Sequence, residues 1–86
     1  MARVTIRYWA SAKAAAGVPE ESVEAGTLSE ALNTVVASRK PDGRLAAVIA
    51  RSSFLVNADP VGRSDRGSIM LDEDAIVEVL PPFAGG

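Results

Sequence analysis

Residues 27–36 read TLSEALNTVV, and the rest of the chain is organised around this stretch. Thr27 followed three residues later by Glu30 is a capping box. The threonine hydroxyl accepts from the Glu30 amide, and the Glu30 carboxylate reaches back to the Thr27 amide, so two donors that a new helix leaves orphaned are satisfied. Beyond the cap, Leu28, Ala31, Leu32, Val35 and Val36 recur at the three- and four-residue spacing of one helical face. The run predicts a helix ending near Lys40, before Pro41, which has no amide to donate. Such a helix must bury its single apolar stripe against another element.

The flanking segments supply that element. VTIRYW alternates and is rich in β-formers, so Arg3 to Trp9 reads as a strand, with Val4, Ile6 and Tyr8 facing a core and Thr5, Arg7 and Trp9 facing away. ASAKAAA predicts a helical turn or two, stopped by Gly17 and Pro19. EESVEA predicts a second strand around Val23 that returns like a hairpin. After the main helix, Leu45, Val48 and Ile49 in RLAAVIA predict a shorter helix. FLVN reads as a strand, Asn57-Ala58-Asp59 as a turn into a brief strand at Val61, and GRSDRG as loop. Leu71 precedes an acidic turn, Asp72-Glu73-Asp74, and AIVEVL is the last strand, ended by Pro81 and Pro82. The expected class is α+β: a mixed sheet with one main helix packed across it and a short second helix. Residues 1–80 are expected to form the domain and 81–86 an extended tail.

Composition narrows the function. The chain has 86 residues, 48% of them hydrophobic, and a net charge of −2. That is one domain with a modest core and too little charge to suggest nucleic acid or an anionic membrane as a partner. No apolar run approaches the length of a membrane span, and the N-terminus lacks a signal-peptide pattern, so a soluble cytoplasmic protein is expected. There is no cysteine and no histidine. Disulfides, thiolate nucleophiles and imidazole acid–base catalysis are excluded, and nearly every zinc or copper site with them, so no metal site is expected.

The end of the chain, LPPFAGG at residues 80–86, points elsewhere. The prolines hold a segment extended and away from the last strand. Gly85 and Gly86 have no Cβ and can thread a slot that any side chain would block. A narrow arm tipped by a carboxylate suits delivery of that carboxylate into another protein's active site. A carboxylate is a poor electrophile and needs activation, typically as an acyl-adenylate. A sulfur nucleophile then yields a thiocarboxylate, and a lysine amine yields an isopeptide bond. Neither product requires a catalytic side chain on this chain.

The opening VTIRYWA, the Ala-rich turn ending at Gly17, TLSEAL, FLVN, the acidic turn before AIVEVL and above all LPPFAGG together resemble the MoaD/ThiS sulfur-carrier family, over essentially the whole chain. The resemblance implies the ubiquitin-like β-grasp fold and is nearest to the carriers that form the small subunit of molybdopterin synthase. It implies that an E1-like adenylating enzyme uses ATP and magnesium to join AMP to Gly86. A sulfurtransferase system then converts that end to a thiocarboxylate. The tail next enters the large synthase subunit, MoaE-like, where its sulfur passes to cyclic pyranopterin monophosphate. Gly86 carries the sulfur and Gly85 is its slim neck. The chain would be a non-catalytic carrier and subunit with no permanently bound cofactor. One departure is the Asp72-Glu73-Asp74 turn, where the family commonly has Asp-Gly-Asp, so either Glu73 takes the tight turn without glycine's freedom or the turn differs.

In a β-grasp the first and last strands run parallel and adjacent, which would place Trp9 and Leu80 together at the root of the tail. With Pro81, Pro82, Phe83 and Ala84 they are the expected partner-binding surface, because clustered exposed aromatics mark interfaces. The competing reading tucks Trp9 under the Ala12–Ala16 segment. The acidic triplet reads as a solvated turn rather than a cation site. Arg51, Arg63 and Arg66 read as solubilising charges, with contact to phosphate or an acidic partner surface as the alternative. Ser52, Ser53 and Ser64 have no histidine to activate them. The rival functions are sulfur carriage for thiamine-thiazole or cysteine synthesis, a protein modifier conjugated through Gly86, and a non-covalent binding module.

Overall fold

Alternation builds the first strand in the computed structural model, which describes residues 1–39 and 43–82. Strand β1 (Ala2–Tyr8) buries Ala2, Val4, Ile6 and Tyr8 and turns the residues between them outward. It stops one residue short of Trp9. The Trp9 carbonyl already accepts the Ala12 amide at 2.9 Å, which makes Trp9 the residue before helix α1 (Ala10–Ala16). Gly17 ends α1 at φ 83, a conformation that favours glycine, and its amide returns to the Lys13 carbonyl. Strand β2 (Glu20–Ala25) then lies antiparallel to β1, with Val23 opposite Val4.

Helix α2 (Leu28–Ala37) starts on the expected box. Thr27 Oγ1 accepts from the Glu30 amide at 3.2 Å, and Glu30 Oε1 accepts from the amides of Thr27 at 3.2 Å and Gly26 at 2.7 Å. The helix ends at Ala37, before the expected position. Ser38 Oγ and Arg39 Nη1 both donate to the Val35 carbonyl, so side chains satisfy the last turn where a further turn of helix would have. Lys40 and Pro41 lie outside the described residues. Helix α3 (Arg44–Arg51) buries Leu45 and Ile49 and leads into strand β3 (Ser53–Val56).

The hairpin that follows is tighter than the sequence suggested. Asn57 and Ala58 take φ 51 and 70, the left-handed pair of a two-residue turn whose twist matches the strands. The return strand β4 is therefore Asp59–Pro60, not a strand centred on Val61. Pro60 is tolerated because β4 is an edge with no further strand to receive an amide. Within GRSDRG the Asp65 carboxylate accepts the Gly67 amide and starts a 3₁₀ turn, Arg66–Ser68, where only loop was expected. In the acidic turn it is Asp74, at φ 68, and not Glu73 that takes the left-handed conformation. Glu73 stays outside that region, and its carboxylate accepts the Arg3 amide at 3.1 Å.

Strand β5 (Ile76–Leu80) closes a five-stranded sheet of order β2-β1-β5-β3-β4. Only β1 and β5 pair parallel; every other neighbour is antiparallel. Leu28, Ala31, Leu32 and Val35 of α2 join Val4, Ile6, Tyr8, Val77 and Val79 in one core on the inner face. Full burial of side chains of this size stabilises the fold by roughly 1.5–3 kcal/mol each. This is the ubiquitin-like β-grasp, with α1 as a helix in its own right beside α2 and α3. Among the described residues no helix is long and apolar enough to cross a membrane.

Candidate functional site

The parallel register carries β1 and β5 to the same end of the sheet. Tyr8 stands opposite Val79, and the Trp9 amide donates to the Val79 carbonyl at 3.2 Å. The next residue on each strand, Trp9 and Leu80, therefore lies on the outer face, side by side. Beyond Leu80, Pro81 and Pro82 have no amides to continue a ladder, and the chain leaves the sheet here. Ser53 pairs with Leu80 from the other side, so β3 borders the same exit. Trp9 is 49% exposed, Leu80 and Pro81 are half-buried and Pro82 is exposed. Trp9 does not tuck under α1: that helix buries Ala12 on the inner side of the sheet, while Trp9 continues the outward alternation of Thr5 and Arg7.

One step back from the exit, register aligns Glu20, Arg7, Glu78 and Leu55 across four strands. Arg7 Nε pairs with Glu20 at 3.3 Å. Glu78 instead accepts from the Trp9 indole Nε1 at 3.2 Å. Ile76, Leu55 and Leu80, all half-buried, complete an apolar band around Glu78 on this face. Glu78 was not among the candidate residues named from the sequence. The signal that could have found it is an acidic residue alternating between Ile76 and Leu80 on the tail-bearing strand.

Beneath the exit, the inner face holds a polar clasp. The Tyr8 hydroxyl donates to Glu21, and Arg39 pairs with the same carboxylate. Arg39 Nη2 also donates to the Ala16 carbonyl at 3.1 Å, so the clasp joins β1, β2 and the ends of α1 and α2. Burial, with the Glu21 hydrogen bond and charge adding to it, pushes the Tyr8 phenol well above its ordinary range.

Other expected groups lie apart. Arg66 stacks its guanidinium over the Phe54 ring at 4.4 Å, and Arg51 ends α3. The Asp65 carboxylate is occupied by the Gly67 amide, and Ser52 Oγ donates to the Val48 carbonyl. The acidic turn braces β1 through the Arg3 amide and carbonyl. Among the described residues no group of acidic side chains is placed to hold a metal ion. Phe83, Ala84, Gly85 and Gly86 lie outside the described residues.

Comparison with known proteins adds to this geometry. A model of the ThiS family matches residues 6–86. No curated protein matches the chain. The solution structure of small archaeal modifier protein 1 from Methanosarcina acetivorans superposes with a TM-score of 0.83 at 21% identity, over 100% of this chain and 98% of that one. The crystal structure of the same-named protein from Haloferax volcanii gives 0.77 at 18%, over 98% and 99%. A chain from the complex of subunits 1 and 2 of molybdopterin-converting factor from Helicobacter pylori gives 0.69 at 19%, over 98% and 99%. At these identities the likeness is one of fold.

Proposed function

The chain belongs to the ThiS family of ubiquitin-like carriers, and from that membership we propose that it is the sulfur carrier of molybdopterin synthesis. The observation that carries the reading is the family match running through Gly86, the residue whose carboxylate would react. In this reading the Gly86 carboxylate attacks the α-phosphorus of ATP on an E1-like enzyme, with magnesium, and expels pyrophosphate. Sulfur from a sulfurtransferase displaces AMP, and a thiol reductant cuts it from its carrier to leave a thiocarboxylate. The tail then enters a MoaE-like large subunit, its sulfur bonds to cyclic pyranopterin monophosphate, water cleaves the acyl–sulfur bond, and the tail returns as a carboxylate. ATP and magnesium serve the activating enzyme, the carrier holds no cofactor of its own, and the cycle runs in the cytoplasm. The contributions of this chain are reach and docking. Pro81 and Pro82 aim the arm, Gly85 narrows it, and Trp9, Leu80 and Phe83 seat the domain against the partner. A partner is supported by the Helicobacter pylori structure, which is a complex of two converting-factor subunits.

A second reading has its own support in the likeness to small archaeal modifier proteins. The same adenylate, attacked by a lysine amine, would give an isopeptide bond. Intact mass of the protein from its native cell separates the two. Exchange of oxygen for sulfur at Gly86 marks the carrier, and a ladder of larger adducts marks the modifier. An unmodified end in cells making the cofactor would overturn both.

A further inference from the structure

Glu78 is a half-buried carboxylate set in an apolar band, with Leu55 beside it on β3 and Ile76 and Leu80 on either side along β5. One oxygen accepts from the Trp9 indole, 69 residues away in sequence. The cation that register places directly opposite, Arg7, is drawn off to Glu20. No other hydrogen bond or ion pair reaches the Glu78 carboxylate among the described residues. The side chain therefore has one committed oxygen and one still offered to solvent. A purely apolar partner covering this band would strip water from a charge and give nothing back, which is costly. A partner bringing a guanidinium or ammonium to the same point would restore the lost hydration with a charge-assisted bond.

We propose that Glu78 is a positioning and selecting residue of the docking face: it fixes the Trp9 indole at the tail root and admits partners whose apolar surface carries a cationic side chain. This rests on the docking reading given above. The committed oxygen sets the indole plane before the partner arrives, which lowers the ordering cost of association. The free oxygen discriminates, since a partner lacking the cation is penalised.

Trp9 is the only tryptophan, so its indole N–H gives a single resonance and the emission reports on it alone. Glu78→Gln keeps an acceptor for that N–H and removes the charge; Glu78→Leu removes both and suits a strand. In the free chain, Glu78→Gln should leave the indole resonance and emission near wild type, whereas Glu78→Leu should move both toward those of exposed tryptophan. Binding to the large subunit of molybdopterin synthase is then measured by calorimetry at low and high salt. Glu78→Gln should bind about tenfold more weakly at low salt and show a flatter salt dependence than wild type, the signature of a lost charge pair at an interface. An unmoved indole in Glu78→Leu overturns the positioning role. Wild-type affinity and salt slope in Glu78→Gln overturn the selecting role. A wild-type chain that binds neither the large subunit nor the activating enzyme overturns the selecting role along with the sulfur-carrier reading, and the indole measurement on the free chain still decides positioning.

Discussion

In the proposed cycle, a single backbone unit at Gly86 decides whether the carboxylate meets its reagent. Deleting Gly86 shortens the arm by about 3.5 Å, as much as the whole separation of about 3–3.5 Å between atoms poised to react. Adding one alanine after Gly86 errs the other way and brings a Cβ into the slot. Both variants should fold like wild type, because the sheet ends at Leu80. Both should lose ATP–pyrophosphate exchange by orders of magnitude, and near wild-type exchange by the alanine-extended chain would remove Gly86 as the reacting end. Tyr8 makes a different residue-scale prediction. Its folded pKa is raised, first by burial and then by Glu21. The stability this contributes is fully present below the unfolded phenol's value of about 10 and is lost as pH rises above it, because the unfolded chain releases the proton first. Wild type should therefore lose stability above that pH more steeply than Tyr8→Phe, as followed by denaturant midpoints across the alkaline range.

Elements are held by their ends. Thr27→Ala removes the acceptor for the Glu30 amide and should cost about 1 kcal/mol, or about 4–8 °C in a domain this small. An unchanged thermal midpoint would mean the cap is not stabilising α2. The acidic turn separates two neighbouring residues. Glu73→Gly discards the bond to the Arg3 amide and adds chain entropy, so it should destabilise by about 1–2 kcal/mol. Asp74→Gly should be close to neutral, because Asp74 already sits at φ 68, where glycine is at ease. In this chain the left-handed residue of the triplet is Asp74, one place beyond its middle.

At the scale of the whole molecule, the inner face of the sheet holds the core and the outer face is left for the proposed docking. Leu80 belongs to the outer face, half-buried beside Trp9, so Leu80→Arg leaves the buried set of Val77 and Val79 untouched. If the tail root is the apolar centre of an interface of standard size, about 1,600 Å², a charge placed there should weaken binding to the large subunit by 100-fold or more, on the order of 3 kcal/mol. Circular dichroism should show the monomer still folded, and calorimetry with wild-type affinity would take Leu80 out of the interface.

The capping box, the α2 stripe and the alternation of β1 were legible in the amino-acid sequence. Each depends on neighbours within a few positions, and local spacing carries that information directly. Where boundaries slipped, the reasons differ: at Ala37 side chains take up the Val35 carbonyl, at Pro60 the left-handed Asn57-Ala58 pair closes the turn early, and at Asp74 the amide is committed to the Arg3 carbonyl. The resemblance implied that the first and last strands adjoin, but no periodicity in the residues says so. That Trp9 donates to Glu78 across 69 residues, while Arg7 turns to Glu20, was settled only by tertiary structure. The physical reason is that a parallel pair is joined by long-range closure. Its register follows from how the whole core packs, and side-chain partners across it are chosen only after that register is set.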